Sequence, residues 1–355
     1  MQIEPFGLER WFAEVEHGAD VMLAESGIRS LSADRFDLDP GELGYVIPTN
    51  GDPEFRAEVG ARYDRGRDEV LFTCGTQEAN FLAFLALMRG DAHAVVVTPT
   101  YQALSAVPEA FGRVTRVWLE PPEWELSVEA IAEAIEPETR VVVFNNPNNP
   151  TGVYHDEGLV RELYDLAAEN DAYLLCDEVY RLLADEPITP VAAMGEYGLS
   201  TTSLTKAYGL AGLRFGWLAG DREVVDRAWQ WKDYTTISTG LIDQHVARQA
   251  LRGEREILLE NRALADEHRE RVRTFVREHG LGWHEPVGVN GFVTIPEGFE
   301  NGEEFCRTVV DEESVVLAPG DLFGFEDYFR IGFGLPTDEL EVGLARVGSV
   351  IDRHT

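Results

Sequence analysis

Two hydrophobic rhythms run through this chain. From Glu69 onward, short continuously apolar runs alternate with stretches whose apolar positions recur every three or four residues. These are the periods of buried strands and amphipathic helices. Glu69 to Thr73, Ala94 to Thr98, Val114 to Leu119, Arg140 to Phe144 and Tyr173 to Cys176 predict strands, and Ser200 to Ser203 ends a further one. Between them, CGTQEANFLAFLALMRG opens on a glycine turn into an apolar helix, and helices are predicted near Tyr101 to Phe111 and over Asp156 to Asn170. SVEAIAEAIEP predicts a helix capped by Ser127, with Glu129 and Glu133 in the early turns that favour acids. Fully apolar strands alternating with helices imply an α/β fold, its mostly parallel sheet covered on both faces.

The flanks read differently. Residues 5 to 25 are apolar at Phe6, Leu8, Phe12, Val15 and Val21 to Ala24, which predicts a helix. Asn50-Gly51 and Asp52-Pro53 mark a tight turn into a helix through Arg65, with Pro53 suited to its first turn. After Trp217 the rhythm changes. Residues 242 to 278 predict one or two long charged helices; short strands at Gly291 to Ile295, Ser314 to Leu317 and Tyr328 to Gly332 alternate with helices at 301 to 311 and 337 to 352. The expected organisation is a large domain over residues 42–250 and a smaller α+β domain built from 1–41 and 251–355.

Charge narrows the partners. Acidic residues outnumber basic ones 64 to 30, for a net charge of −34 spread along the whole chain. Such a surface repels nucleic acid and anionic membranes. It suits a cytoplasmic protein of a salt-adapted organism, more than one built for a basic partner. No signal peptide or membrane span is expected, because the N-terminus carries acids and no apolar run reaches about 18 residues. The three cysteines are far apart and the eight histidines show no ligand spacing, so a reduced compartment and no metal are expected.

All but two of the basic residues are arginine. One exception, Lys206, sits in STTSLTKAYGLAGLRFGWLAG, among small and hydroxylated residues that admit a bulky group. Lysine, unlike arginine, can lose its proton and form a Schiff base. A solvated lysine after a turn is the competing reading. Polar residues occupy equivalent places after successive strands, where ligands of parallel sheets sit: Gly75-Thr76-Gln77, Tyr101, Asn149, Asp177 and Ser203. Gly75 with its helix start makes an anion site, or an ordinary tight turn. Ser203 and Arg214 flank Lys206 and can hold the same anion. Asp177 is a carboxylate for a cationic ring nitrogen, or a helix cap. Tyr101 is a stacking face, or core. Phosphate, aldehyde, ring nitrogen and aromatic face together describe pyridoxal 5′-phosphate.

SLTKAYGLAGLRFGW resembles the S-x-[ST]-K-x-x-x-L-x-G-x-R-x-G signature of class I/II aminotransferases, NNPNNPTG their N-P-x-N-P-T-G, and CDEVY their D-E-x-Y. The resemblance runs from about Tyr45 to Arg330. It implies a fold-type I, pyridoxal-phosphate-dependent transferase with a seven-stranded sheet, working as a homodimer on amino acids and 2-oxo acids. Through it, Lys206 is the internal aldimine lysine and proton carrier, Asp177 the ring-nitrogen partner, and Tyr180 and Asn149 the hydrogen-bond partners of the cofactor's O3′. Tyr101 is then the stacking ring, and Gly75, Thr76, Gln77, Ser203 and Arg214 form the phosphate cup. Tyr45 reaches the neighbouring subunit's phosphate, and Arg330 and Asn149 bind the substrate, Arg330 through the substrate's carboxylate. Gly27 and Ile28 are expected over the substrate. Arg29 is either a second carboxylate clamp or an ordinary surface arginine. WKDYTTISTGLIDQ is similar to capreomycidine-synthase-like members, which cyclise an arginine derivative. Elimination or cyclisation on the same cofactor is thus the alternative to transamination. A non-catalytic domain of this architecture fits poorly with the retained lysine.

Overall fold

A computed structural model describes residues 2–355. Its centre is a seven-stranded sheet in the order Val70–Thr73, Gly216–Ala219, Gly198–Ser203, Tyr173–Asp177, Thr139–Asn145, His93–Thr98, Arg113–Trp118. Only Gly216–Ala219 runs against its neighbours. The strands predicted from continuous apolar runs are buried over nearly their whole length, as helices on both faces require. Thr76–Leu87 and Ala103–Phe111 cover one face, and Pro53–Gly60 and Glu157–Glu169 pack elsewhere on the sheet and its loops. The predicted Ser127 cap is present, accepting from the Ala130 N–H, and Asp156 caps the following helix by accepting from the Leu159 N–H.

Register puts chemistry on one edge. Asn145, Asp177 and Thr201 stand side by side on adjacent strands at their carboxyl ends. Thr73, Gly216 and Ser203 form a second row beside them.

The remaining chain builds an antiparallel sheet in the order Ala318–Pro319, Tyr328–Gly332, Asn290–Thr294, with helices Gly302–Glu313 and Thr337–His354. The charged stretch is two helices, Leu241–Arg252 and Glu254–Glu278, divided at Gly253. The N-terminal helix Gly7–Val15 joins this unit, since the Trp11 indole N–H donates to the Leu317 carbonyl at 2.9 Å. It also reaches the large sheet, where the Gly7 N–H donates to the Gln102 Oε1 at 2.8 Å.

Three elements depart from the sequence reading. The predicted N-terminal helix stops at Val15. Val21–Met22 instead pairs in parallel with Val315–Val316. Val21, Leu23 and Ala24 are apolar because both sides of an extended segment are buried there, a pattern that mimics a helix face over four residues. The strand Gly216–Ala219 hides in a glycine-punctuated stretch. The helix Arg222–Lys232 follows it, capped by Asp221, whose side chain accepts from the Glu223 and Val224 N–H groups.

Candidate active site

A cavity of about 370 Å³ opens over the carboxyl ends of the large sheet. Thr76, Gln77, Tyr101, Asn149, Asp177, Tyr180, Ser203, Lys206, Arg214 and Arg330 all line it. Residues separated by up to 254 positions in sequence thus share one space because their strands end at one edge. Gly75 lies against its wall and Tyr45 lies apart, 74% exposed in a separate hollow with residues 236–243.

The floor is rigid and polar. Asp177 is buried; its carboxylate accepts from the Asn80 amide at 2.9 Å and from the Val179 N–H at 3.2 Å. Asn80 is held in turn by the Thr201 hydroxyl at 2.6 Å. Burial pushes the Asp177 carboxyl up to about 6, against these hydrogen bonds, so the site favours a cation beside it. Next to it, Asn145 and Asn148 share hydrogen bonds with Thr100 and Thr151 and hold the NNPNNPTG loop. The motif is therefore mostly a scaffold that presents Asn149.

One end of the cavity gathers a helix start, two hydroxyls and an arginine. Gly75 takes φ +81° as the N-cap of Thr76–Leu87. A side chain there would sit 2.8 Å from the Arg214 Nη2, so glycine is what lets the guanidinium close over the helix start. The Thr76 hydroxyl is buried without a partner. Ser203 is also buried, and its hydroxyl accepts only a long 3.3 Å bond from Thr205.

Arg330 closes the opposite end. It is 1% exposed, donates from Nη1 to Asn149 at 2.8 Å and from Nη2 to the Ala24 carbonyl at 2.7 Å, and keeps Nε unpartnered. Tyr180 is equally buried, its hydroxyl also without a partner. Between these ends the Lys206 Nζ donates to Ser26 at 3.0 Å and to Glu25 at 3.2 Å. Burial alone would lower the lysine's pKa; its electrostatic interactions with Tyr180 and Glu25 outweigh this and hold the ammonium above its ordinary value. Tyr101 is half-buried, with its ring 5.0 Å from that of Phe6.

Sequence reasoning placed Gly27 and Ile28 over the substrate, but Glu25 and Ser26 line the cavity instead. Gly27 sits against the Lys206 stem, where an added Cβ would be 3.8 Å from Cδ. The segment is fixed in this frame from both sides: Arg29 N–H donates to the Gly334 carbonyl and Leu31 N–H to that of Gly209. Arg29 lies outside the cavity lining. Asn80 also went unpredicted, although its place one turn into the helix after Gly75 points it at the neighbouring strand ends. Leu8, Glu9 and Phe12 of the N-terminal helix and Glu16 just after it complete the rim. Among the described residues no cluster of three or more metal-ligating side chains occurs, and no helix is long and apolar enough to cross a membrane.

The profile of the family "Aminotransferase class I and II" matches residues 25–347. Capreomycidine synthase of Streptomyces vinaceus is 31% identical over 98% of this chain and 94% of its own length. A crystal structure of a PLP-dependent aminotransferase from Streptococcus suis 89-1591 superposes with a TM-score of 0.93 at 30% identity, over 100% of this chain and 99% of that one. A PLP-dependent cyclase, OrfR, gives 0.91 at 26% identity over 100% and 99%. The chain therefore belongs to the class I and II aminotransferase family, as a fold-type I enzyme that depends on pyridoxal 5′-phosphate and transfers amino groups.

Proposed function

We propose that Lys206 carries the proton in this amino-group exchange, and that the substrate is an α-amino acid, or the matching 2-oxo acid, anchored by Arg330. One observation supports this reading above others. A lysine, a buried strand-end carboxylate and a fully buried arginine face one cavity, which also holds buried polar atoms without partners.

The residues fit the cofactor. The Thr76 and Ser203 hydroxyls, the helix start at Gly75 and Gln77, and Arg214 suit its phosphate. Asp177 suits the ring nitrogen, Tyr180 and Asn149 suit O3′, and the Tyr101 ring suits its face. When bound, pyridoxal 5′-phosphate supplies an aldehyde that condenses with amines and a protonated ring that withdraws the electrons left at Cα. The protein's part is positional and protonic. Arg330 fixes the substrate carboxylate with the donors it does not give to Asn149 and Ala24. With the cofactor bound, Lys206 Nζ would be the group placed to take the proton from the substrate Cα and give it back. A ring cation would keep Asp177 ionised in a place where burial alone opposes its charge.

Two copies are proposed to meet through the apolar surface formed by Leu43, Tyr45, Ile47 and Tyr234, which are 73%, 74%, 79% and 85% exposed. Tyr45 would then serve the partner's phosphate. Residues 42–250 and the combined segments 1–41 and 251–355 are proposed as the two domains. The −34 charge supports a cytoplasmic setting rich in salt. A second reading, cyclisation or elimination of an amino acid, is favoured by the similarity to capreomycidine synthase and OrfR.

One experiment separates them. Cofactor-loaded protein, mixed with single amino acids at high salt and no 2-oxo acid, is expected to release one equivalent of 2-oxo acid per subunit and no ammonia. Release of ammonia or of a cyclised product, without 2-oxo acid, overturns transamination.

A further inference from the structure

The second lysine, Lys232, stands outside the cavity lining. It ends the helix Arg222–Lys232, and its side chain is 0% exposed. Its Nζ donates to the Glu78 Oε2 at 3.0 Å and also to the Thr236 hydroxyl. Glu78 is the third residue of Thr76–Leu87, directly after Gln77. Its carboxylate accepts from the Cys74 N–H at 2.6 Å, the Thr235 hydroxyl at 2.7 Å and the Thr236 hydroxyl at 2.6 Å. The Lys232 carbonyl accepts from the Thr235 and Ile237 N–H groups, each at 3.0 Å. One small network therefore holds the peptide just before Gly75 and ties it to the loop after Lys232.

From this geometry we propose that Glu78 and Lys232 are a positioning pair that sets the affinity of the Gly75–Thr76–Gln77 cup for phosphate. The proposal rests on the pyridoxal-phosphate reading of that cup. Glu78 fixes the turn through Cys74, but it also brings a negative charge into the first helical turn, where a phosphate is to bind. Lys232 neutralises that charge from a fully buried side chain, where electrostatic effects exceed those in bulk water. From there its compact ammonium reaches Glu78 and Thr236; a planar guanidinium needs more room. This accounts for a lysine at 232 in a chain that uses arginine elsewhere.

The test compares phosphate-bearing and phosphate-free probes in the full-length protein. Equilibrium binding of pyridoxal 5′-phosphate, inorganic phosphate and pyridoxal is measured for wild type, Lys232→Met, Glu78→Gln and the double variant. Lys232→Met leaves a bare buried carboxylate, and its affinity for the two phosphate probes is expected to fall on the order of 100-fold. Glu78→Gln leaves a cation near the cup and loosens the turn; a loss of roughly tenfold or less is expected. The double variant, with no net charge, should recover most of the Lys232→Met loss. Pyridoxal binding should stay within about threefold throughout. If Lys232→Met does not fold, Glu78→Gln still tests the proposal, since it must weaken both phosphate probes and spare pyridoxal. Equal losses for all three probes, or none, overturn the pair's role. Wild-type protein that binds neither phosphate probe would instead overturn the cofactor reading on which the pair depends.

Discussion

The chain's two lysines stand in opposite surroundings. Lys232 is sealed from solvent, and its partner Glu78 is satisfied by three further donors, from Cys74, Thr235 and Thr236. Lys206 faces a cavity, and its partners are Ser26 and a glutamate whose side chain is 59% exposed. A lysine held like Lys232 keeps its proton and its place. One held like Lys206 can exchange its partners for a cofactor and substrate with little structural loss. On the proposed reading, the difference separates a lysine of the framework from a lysine of the reaction.

The comparison breaks first at Lys206→Ala. Turnover is expected to fall by at least about 10⁴-fold, the scale of a lost proton carrier and covalent anchor. Thermal stability should change little, because Glu25 and Ser26 can turn to water. Steady-state kinetics with a thermal melt checks both halves. Persisting turnover would remove Lys206 from its role, and a large drop in melting temperature would make it a framework lysine like Lys232.

Asp177→Asn tests the floor beneath. Burial raises the Asp177 carboxyl to about 6, about two units above its ordinary value of 3.8, which corresponds to roughly 3 kcal/mol. An acid whose pKa is raised by folding is most favourable to the fold when protonated, below its unfolded value. That contribution is lost as pH rises through about 6. The cofactor-free variant is therefore expected to be more stable than wild type at pH 7.5, by up to about 3 kcal/mol, with the two converging below pH 4. Its turnover should nevertheless collapse, because the ring nitrogen loses its charged partner. Denaturant unfolding across pH 4 to 8 reads the first effect. A destabilised variant at pH 7.5 would mean that the hydrogen bonds from Asn80 and Val179 outweigh the burial.

The framework was more legible than the rim, and the reason is physical. Strands buried on both faces must be continuously apolar, so Val95, Val142 and Leu174 announced the sheet. Strand ends then gave the cavity's place, and Lys206, Asp177 and Arg214, each with an ordinary reading by itself, stood out only through their shared place and motif. The strand Gly216–Ala219 was hidden because its glycines serve close packing: an added Cβ at Gly216 would lie 2.6 Å from the Thr202 carbonyl oxygen. Glu25, Ser26 and the helix Gly7–Val15 were illegible for another reason. Their presence in the cavity depends on pairings such as Val21 with Val315, which lie nearly 300 residues apart. No local pattern records that distance.

Glu25→Gln gives the finest test of the contrast. The Glu25 charge helps to hold the Lys206 ammonium above its ordinary pKa, and Lys206 in return holds the Glu25 carboxyl below its own. Removing the charge should lower the lysine's pKa and increase the fraction ready to attack an aldehyde at neutral pH. Cofactor capture should then begin at lower pH, with its midpoint moved down by about one unit or less, since Glu25 is more than half exposed and solvent screens the pair. Stopped-flow uptake of pyridoxal 5′-phosphate across pH 6 to 10 measures the shift. A midpoint that does not move would show that Ser26 and Tyr180 govern the lysine without Glu25. A midpoint that rises would contradict the ion pair itself. The expected downward shift would make Glu25 a partner that holds Lys206 only until the cofactor arrives, which the enclosed Glu78 cannot be for Lys232.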